Sequence, residues 1–254
     1  NKRNFIVHGS ILAIAGILVR IIGMLYRIPV VNIIGSEGNG IYGAAFNIYN
    51  IMLVLSSYGL PMAVSKLVSA RFTKKRYKSA AKVLRCSLMV AVCTGGIAAL
   101  LVFFGASFIE NVIYGGGLPG LAVPLRILAP TIFLVAILGV IRGFFQGQST
   151  MIPTAVSQIL EQIVNAIVSI AAGYGMMKAF ASLPDVAAYG AAGSTLGTAM
   201  GALTAVLFMG FLYAVYTPTF NRLKRKDRHT ENQSTGQICK IIIYTMIPII
   251  LGQT

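Results

Sequence analysis

"GILVRIIGMLYRIPVV", residues 16–31, decides how this chain is to be read. Apart from Arg20 and Arg27 it is apolar, and with its flanks it is long enough to cross a hydrocarbon core of about 30 Å. A guanidinium does not lose its charge. Holding one in hydrocarbon costs at least about 2.5–3.5 kcal/mol on insertion scales. Intramembrane charges are tolerated where they face a bundle interior or a water-filled cavity. The stretch therefore reads as a membrane-spanning helix with a working polar face.

Composition agrees. The 254-residue chain is 56% hydrophobic and only 11% charged, whereas soluble domains carry about 25% charged residues. The formal net charge of +15 would suit nucleic-acid binding. The cations fall mainly in loops between apolar runs, however, so no nucleic-acid partner is expected. They act as topology determinants with anionic membrane lipids as neighbours. The first apolar run is too long for a signal-peptide core and ends in no A-x-A site, so it is expected to stay in the protein. Cys86, Cys93 and Cys239 lack metal or disulfide spacing and read as reduced, small apolar residues.

Apolar runs cover about 5–34, 40–69, 84–113, 121–147, 152–180 and 187–216, and a further one begins near 238. The loop after the second run holds Arg71, Lys74, Lys75, Arg76, Lys78, Lys82 and Arg85, and the segment after the sixth holds Arg222, Lys224, Arg225, Lys226 and Arg228. The alternate loops, 35–39 and 114–120, carry no Lys or Arg. Cationic loops stay cytoplasmic, so the N-terminus is expected inside. The expected architecture is all-α and integral to the membrane. It comprises an N-terminal six-helix lobe (1–216), a basic cytoplasmic linker (217–237) and the start of a seventh helix (238–254) whose partner lobe follows in cis.

Four features mark candidate sites. Arg20 and Arg27 share one helix face and form an anion site, since the guanidinium fork pairs with phosphate. Gly23 between them permits close approach, and Pro29 is expected to kink or end the helix. Gln158, Glu161, Gln162 and Asn165 form one polar stripe on the fifth run. Glu161 sits about 14 Å along that run. It reads either as the structural partner of an arginine such as Arg20 or as a proton, cation or sugar contact. Asn47 and Asn50 give the second run a polar face, and Gly59 and Pro61 interrupt it, as at transporter gates. Arg142 reads as an interfacial, snorkelling residue. Gly193, Gly197 and Gly201 form a small-xxx-small stripe for close helix packing.

Walker loops, HExxH motifs, Ser/His/Asp sets and paired carboxylates do not occur in the sequence. No enzymatic activity, cofactor or metal is expected.

With these residues in view, the chain resembles the stage V sporulation protein B group of the MOP (multidrug, oligosaccharidyl-lipid and polysaccharide exporter) superfamily. The resemblance is carried, in order, by "LVRIIGMLYRIPVVNIIGSEGNGIY", "YGLPMAVSKLVS", "IRGFFQGQSTMIPTAVSQILEQIV" and "GAAGSTLGT". It implies a two-lobed, MATE-like transporter with a central cavity. The implied substrate is a polyprenyl-pyrophosphate-linked glycan, lipid II-like, moved from the inner to the outer leaflet of the bacterial cytoplasmic membrane for wall or polysaccharide synthesis. In lipid II flippases, first-helix arginines face the cavity, which places the diphosphate on Arg20 and Arg27. A second-helix cavity arginine of some of those proteins has no counterpart in "NIYNIMLVLSSYG". The resemblance implies a monomer. The alternatives are a cation-coupled multidrug exporter of the same superfamily and a non-transporting membrane scaffold for glycan enzymes.

Overall fold

The computed structural model describes residues 2–230 and 233–252. Among them the chain forms α1 (Lys2–Ser56), α2 (Leu60–Thr73), α3 (Tyr77–Phe108), α4 (Ala122–Gly147), α5 (Ile152–Ala179), α6 (Val186–Lys226) and α7 (Thr235–Leu251), with no strand. A five-residue π turn, Ile109–Ile113, extends α3. The long helices are apolar enough to cross a membrane. In hydrocarbon every backbone polar group must bond internally, which only helices and closed barrels achieve.

α1 is two arms joined at Gly35, whose φ of 74° and ψ of −178° lie where only glycine sits without strain. Pro29 does not end the first arm, as the sequence suggested. The helix runs through it, and its ring takes a φ that helices already use. The reversal falls at Gly35 because that position needs no Cβ. The second arm stops at Ser56, turns over Ser57–Gly59 and resumes as α2 with Pro61 in its first turn. There the missing proline N–H leaves no helix bond unmade.

Helix boundaries differ from the hydropathy runs at the charged end. α3 starts at Tyr77 and α6 continues to Lys226, through ten residues assigned to the linker, so the linker shrinks to 227–234. Positions 231–232 of it lie outside the described residues. Cations in the last turn of α6 favour its carbonyl end. α7 starts at Thr235 behind a capping box of Ser234 and Gln237.

Glycine contacts hold the lobe together. On α6, a Cβ at Gly201 would stand 2.6 Å from the Glu161 carbonyl and one at Gly197 would stand 2.6 Å from that of Asn165, while Gly193 lies against Ala172. On α4, Gly139, Gly143 and Gly147 repeat the same spacing against α2. A Cβ at Gly143 would come within 2.6 Å of the Pro61 carbonyl, and one at Gly147 within 2.8 Å of Val68 Cβ. At Gly95 of α3 it would meet Ala136 Cβ at 2.8 Å. α4 thereby sits at the centre, touching α1, α2, α3, α5 and α6. Apolar packing gathers on either side of it. One cluster centres on Leu60, Val64, Phe144, Phe220 and Ile238, and the other on Ile34, Ile41, Leu121, Leu128 and Ile132.

A carboxylate caps a helix start at each end of the lobe. Glu110 accepts from Gly120 N at 2.8 Å and Ala122 N at 3.1 Å, closing α4. Asp227, with a side chain 1% exposed, accepts from Lys78 N at 3.0 Å and His229 N at 2.9 Å, and its Oδ1 lies 2.7 Å from His229 Nδ1. It ties the end of α6 to the start of α3. Burial alone would raise the Asp227 pKa. The bonds from His229 and Lys78 outweigh it and hold the carboxyl below its ordinary range.

Two outcomes follow for the purified protein in detergent. Gly197→Val should cost about 1–3 kcal/mol by overpacking, seen as a lower unfolding temperature. Gly210→Ala, where a Cβ meets nothing within 4 Å, should be neutral or stabilising. For Asp227, a depressed pKa stabilises the fold above the ordinary value of 3.8, and that contribution disappears as the pH falls through the lowered value. Asp227→Asn should lower the unfolding temperature at pH 7 and flatten its fall between pH 5 and pH 3.

Candidate functional site

The first arm of α1 runs alongside α5, and their contact gathers most of the sequence-selected polar residues. Gly23 is the point of closest approach: a Cβ there would stand 3.1 Å from Gln162 Nε2. One turn on, Asn165 Nδ2 reaches the Tyr26 hydroxyl at 3.4 Å. Asn165 is buried, and its Oδ1 lies 2.9 Å from the Ser169 hydroxyl, which also reaches the Ser194 carbonyl at 2.8 Å. Asn165 thus joins α1, α5 and α6 instead of lining open space, a correction to its reading as a cavity residue.

Arg20 and Arg27 both lie on the exposed face of this arm. Neither makes a hydrogen bond or ion pair among the described residues. Arg27 instead places its guanidinium carbon 5.4 Å from the centroid of Tyr42, on the second arm. That contact orients the cation and leaves its donors unspent. Met24, one turn from each arginine, is exposed beside them, and Leu18, Ile21 and Leu25 of the same arm are exposed as well. Two permanent cations therefore stand on an apolar surface with no anion in contact. Asn47 and Asn50 are also exposed, on the second arm.

The polar stripe of α5 divides according to its neighbours. Glu161 turns to α4 and pairs with Arg142, whose Nη2 donates to its Oε2 at 2.9 Å. Arg142 Nε donates to Ser157 Oγ at 2.9 Å, and that hydroxyl donates to the Thr154 carbonyl at 2.8 Å. The pair is 15% and 27% exposed at its two side chains. Glu161 has an arginine as its structural partner, one of the readings its position allowed, but that arginine is Arg142 and not Arg20. Arg142 does not snorkel to the interface, a correction to its own reading. Spacing along each helix placed Arg142 near an end, but the α4–α5 turn at Gln148–Met151 brings it beside the next helix. Gln158 and Gln162 are half-buried and make no hydrogen bond among the described residues. Tyr26 and Tyr42 went unselected, since an aromatic in an apolar run reads as core until its neighbours are known.

The described residues hold no cluster of three His, Cys, Asp or Glu fit for a metal. The arrangement offers charge and hydrogen bonds to an anion.

The helices share the fold of one half of solved two-lobed MOP-type transporters. A MATE transporter crystallised with MaD3S superposes with a TM-score of 0.74 at 17% identity, over 96% of this chain and 52% of that one. A MOP superfamily transporter from Pyrococcus furiosus, described as having a binding pocket of reversed polarity, gives 0.68 at 18% identity over the same shares. By sequence, the polysaccharide biosynthesis protein family model matches residues 6–246, and the chain belongs to that family. Among its relatives in Bacillus subtilis, lipid II flippase MurJ is 34% identical over 67% of this chain and 32% of its own length. Stage V sporulation protein B is 31% identical over 82% and 39%. An uncharacterized membrane protein, YabM, is 29% identical over 96% and 44%. The chain thus spans between a third and a half of the length of these relatives.

The ion pair is open to a direct check. Arg142→Ala and Glu161→Gln should each lower stability by about 1–3 kcal/mol, because each leaves a part-buried charge or hydroxyl unpaired. Arg142→Ala combined with Glu161→Gln should lose less than the sum of the single changes. Additive losses in a double-mutant cycle on thermal unfolding would show that the two do not couple.

Proposed function

We propose that this chain is the N-terminal lobe of a flippase. It moves a polyprenyl-pyrophosphate-linked oligosaccharide or peptidoglycan precursor from the inner to the outer leaflet of a bacterial cytoplasmic membrane. The N-terminus lies inside, as the basic loops indicate. Arg20 and Arg27 receive the diphosphate, and Gln158, Gln162, Asn47 and Asn50 border the glycan. The observation that carries this reading is the exposed, anion-free pair of arginines on α1, in a chain whose relatives include a protein named lipid II flippase. A diphosphate supplies the charge those guanidiniums lack, in the bidentate geometry that arginine favours. Neutralising them on binding is the differential interaction that shifts a transporter between its inward- and outward-open states.

The Arg142–Glu161 pair weighs against a cation-coupled drug exporter. Such a protein needs an open carboxylate in its interior, and the deep one in this lobe is spent on Arg142.

The test is ligand binding by the full-length protein, followed by native mass spectrometry. Undecaprenyl pyrophosphate should bind wild type and bind Arg20→Ala at least about tenfold more weakly, with Arg20→Lys between them. A cationic dye should not bind. Dye binding indifferent to Arg20 would point to a drug exporter. Binding of neither ligand would point to a scaffold, in which Arg20→Leu would be harmless or stabilising.

A further inference from the structure

At the basic end, α3 and α6 touch only sparsely and are bridged by α4. The gap holds two adjoining cavities of about 400 and 430 Å³ that share Ala81, Arg85 and Lys224. One is walled by apolar groups, Leu84, Leu88, Ile141 and Tyr213, beside Gly210. The other adds Lys78 and Lys82 and reaches the start of α7. Among the described residues, neither has an Asp or Glu in its lining, and neither is lined by α1 or α5.

Lys78, Lys82 and Arg85 follow one another at i, i+4 and i+7, so they stand on one face of α3. Lys78 lies in the first turn of that helix, where its dipole disfavours positive charge and no acidic residue is present, and Lys82 and Arg85 follow one and two turns on. Asp227 is committed to backbone N–H groups and His229. Lys82 Nζ donates to the Gln233 carbonyl, and Lys224 Nζ rests 5.1 Å over the Phe220 ring. Arg85 is exposed and has no hydrogen bond or ion pair among the described residues. This gathering of cations does nothing for the helix that carries it, and an anion between α3 and α6 would relieve it.

We propose that this groove is a binding site for an anionic phospholipid of the bilayer. Arg85 and Lys224 take the phosphate, with Lys78 and Lys82 around the headgroup. One acyl chain lies along Leu84, Leu88, Ile141 and Tyr213 in the gap beside Gly210. A lipid fits better than free phosphate because the charged cavity opens directly into the apolar one, in helices of membrane-spanning length. Basic pockets between membrane helices at the interface suit such headgroups. The occupant stiffens a place where α3 and α6 touch only sparsely. It is separate from the transported substrate, whose proposed arginines lie on α1.

The experiment uses the full-length protein in detergent, titrated with dioleoyl phosphatidylglycerol or dioleoyl phosphatidylcholine and read by native mass spectrometry. Phosphatidylglycerol should be retained at least about tenfold better. Arg85→Gln with Lys224→Gln should abolish that preference, while Arg20→Ala should leave it intact. Gly210→Phe places a side chain where a Cβ meets nothing within 4 Å, so it should fill the groove without disturbing the fold and weaken lipid retention. Soluble glycerol phosphate should not compete. Equal retention of the two lipids, loss of the preference in Arg20→Ala, indifference to Gly210→Phe, or competition by glycerol phosphate would each overturn the proposal. Loss of undecaprenyl pyrophosphate binding in Arg20→Ala with phosphatidylglycerol retention unchanged would separate the two sites.

Discussion

The lobe depends on backbone-to-backbone approach at glycine. Lipid tails are as apolar as leucine, so burial against a neighbouring helix gains little from the hydrophobic effect in a membrane, and packing contacts and interhelical hydrogen bonds must hold helices together. Two ladders supply the contacts: Gly193, Gly197 and Gly201 between α6 and α5, and Gly139, Gly143 and Gly147 between α4 and α2. A methyl group at Gly201 or Gly143 would meet a carbonyl of the neighbouring helix at 2.6 Å. The positions of Glu161 and Asn165 against α6, and hence the way the polar stripe divides, follow from the first ladder.

Polar groups inside this frame fall into two kinds. Arg142 of α4 pairs with Glu161 and Ser157 of α5, and Asn165 and Ser169 of α5 reach Tyr26 of α1 and the Ser194 carbonyl of α6, so these groups fix which faces meet. Among the described residues, Arg20, Arg27, Gln158 and Gln162 lack such partners, and Arg27 leans on an aromatic face. In a membrane the first kind is structural glue. The second kind calls for something that the lobe itself does not supply. That contrast, more than the mere presence of charge in an apolar run, separates the candidate site from its supports.

Charge at the ends follows the same logic. Glu110 and Asp227 each close the amide end of a helix from a neighbouring segment, so the starts of α4 and α3 are tied down although neither has a capping side chain of its own. Among the described residues, the cations of α3 have no carboxylate partner, and Lys82 donates to the Gln233 carbonyl.

Several things were legible in the residues alone. The membrane class and the division into basic and uncharged loops follow from composition and from the length needed to cross a bilayer. Gly193, Gly197 and Gly201 announced a close contact by their spacing, and Gly139, Gly143 and Gly147 carried the same signal unread. What the sequence left open concerns partners. Periodicity tells which side chains share a face, not which helix that face meets. Glu161 could be assigned an arginine, but choosing Arg142 over Arg20 required the α4–α5 turn. Gly35, rather than Pro29, proved to be the break because proline's φ is compatible with a helix, whereas a φ of 74° is not. Helix identity is written in local periodicity. Pairing is decided only when distant segments compete for the same surface, and that competition takes place in three dimensions.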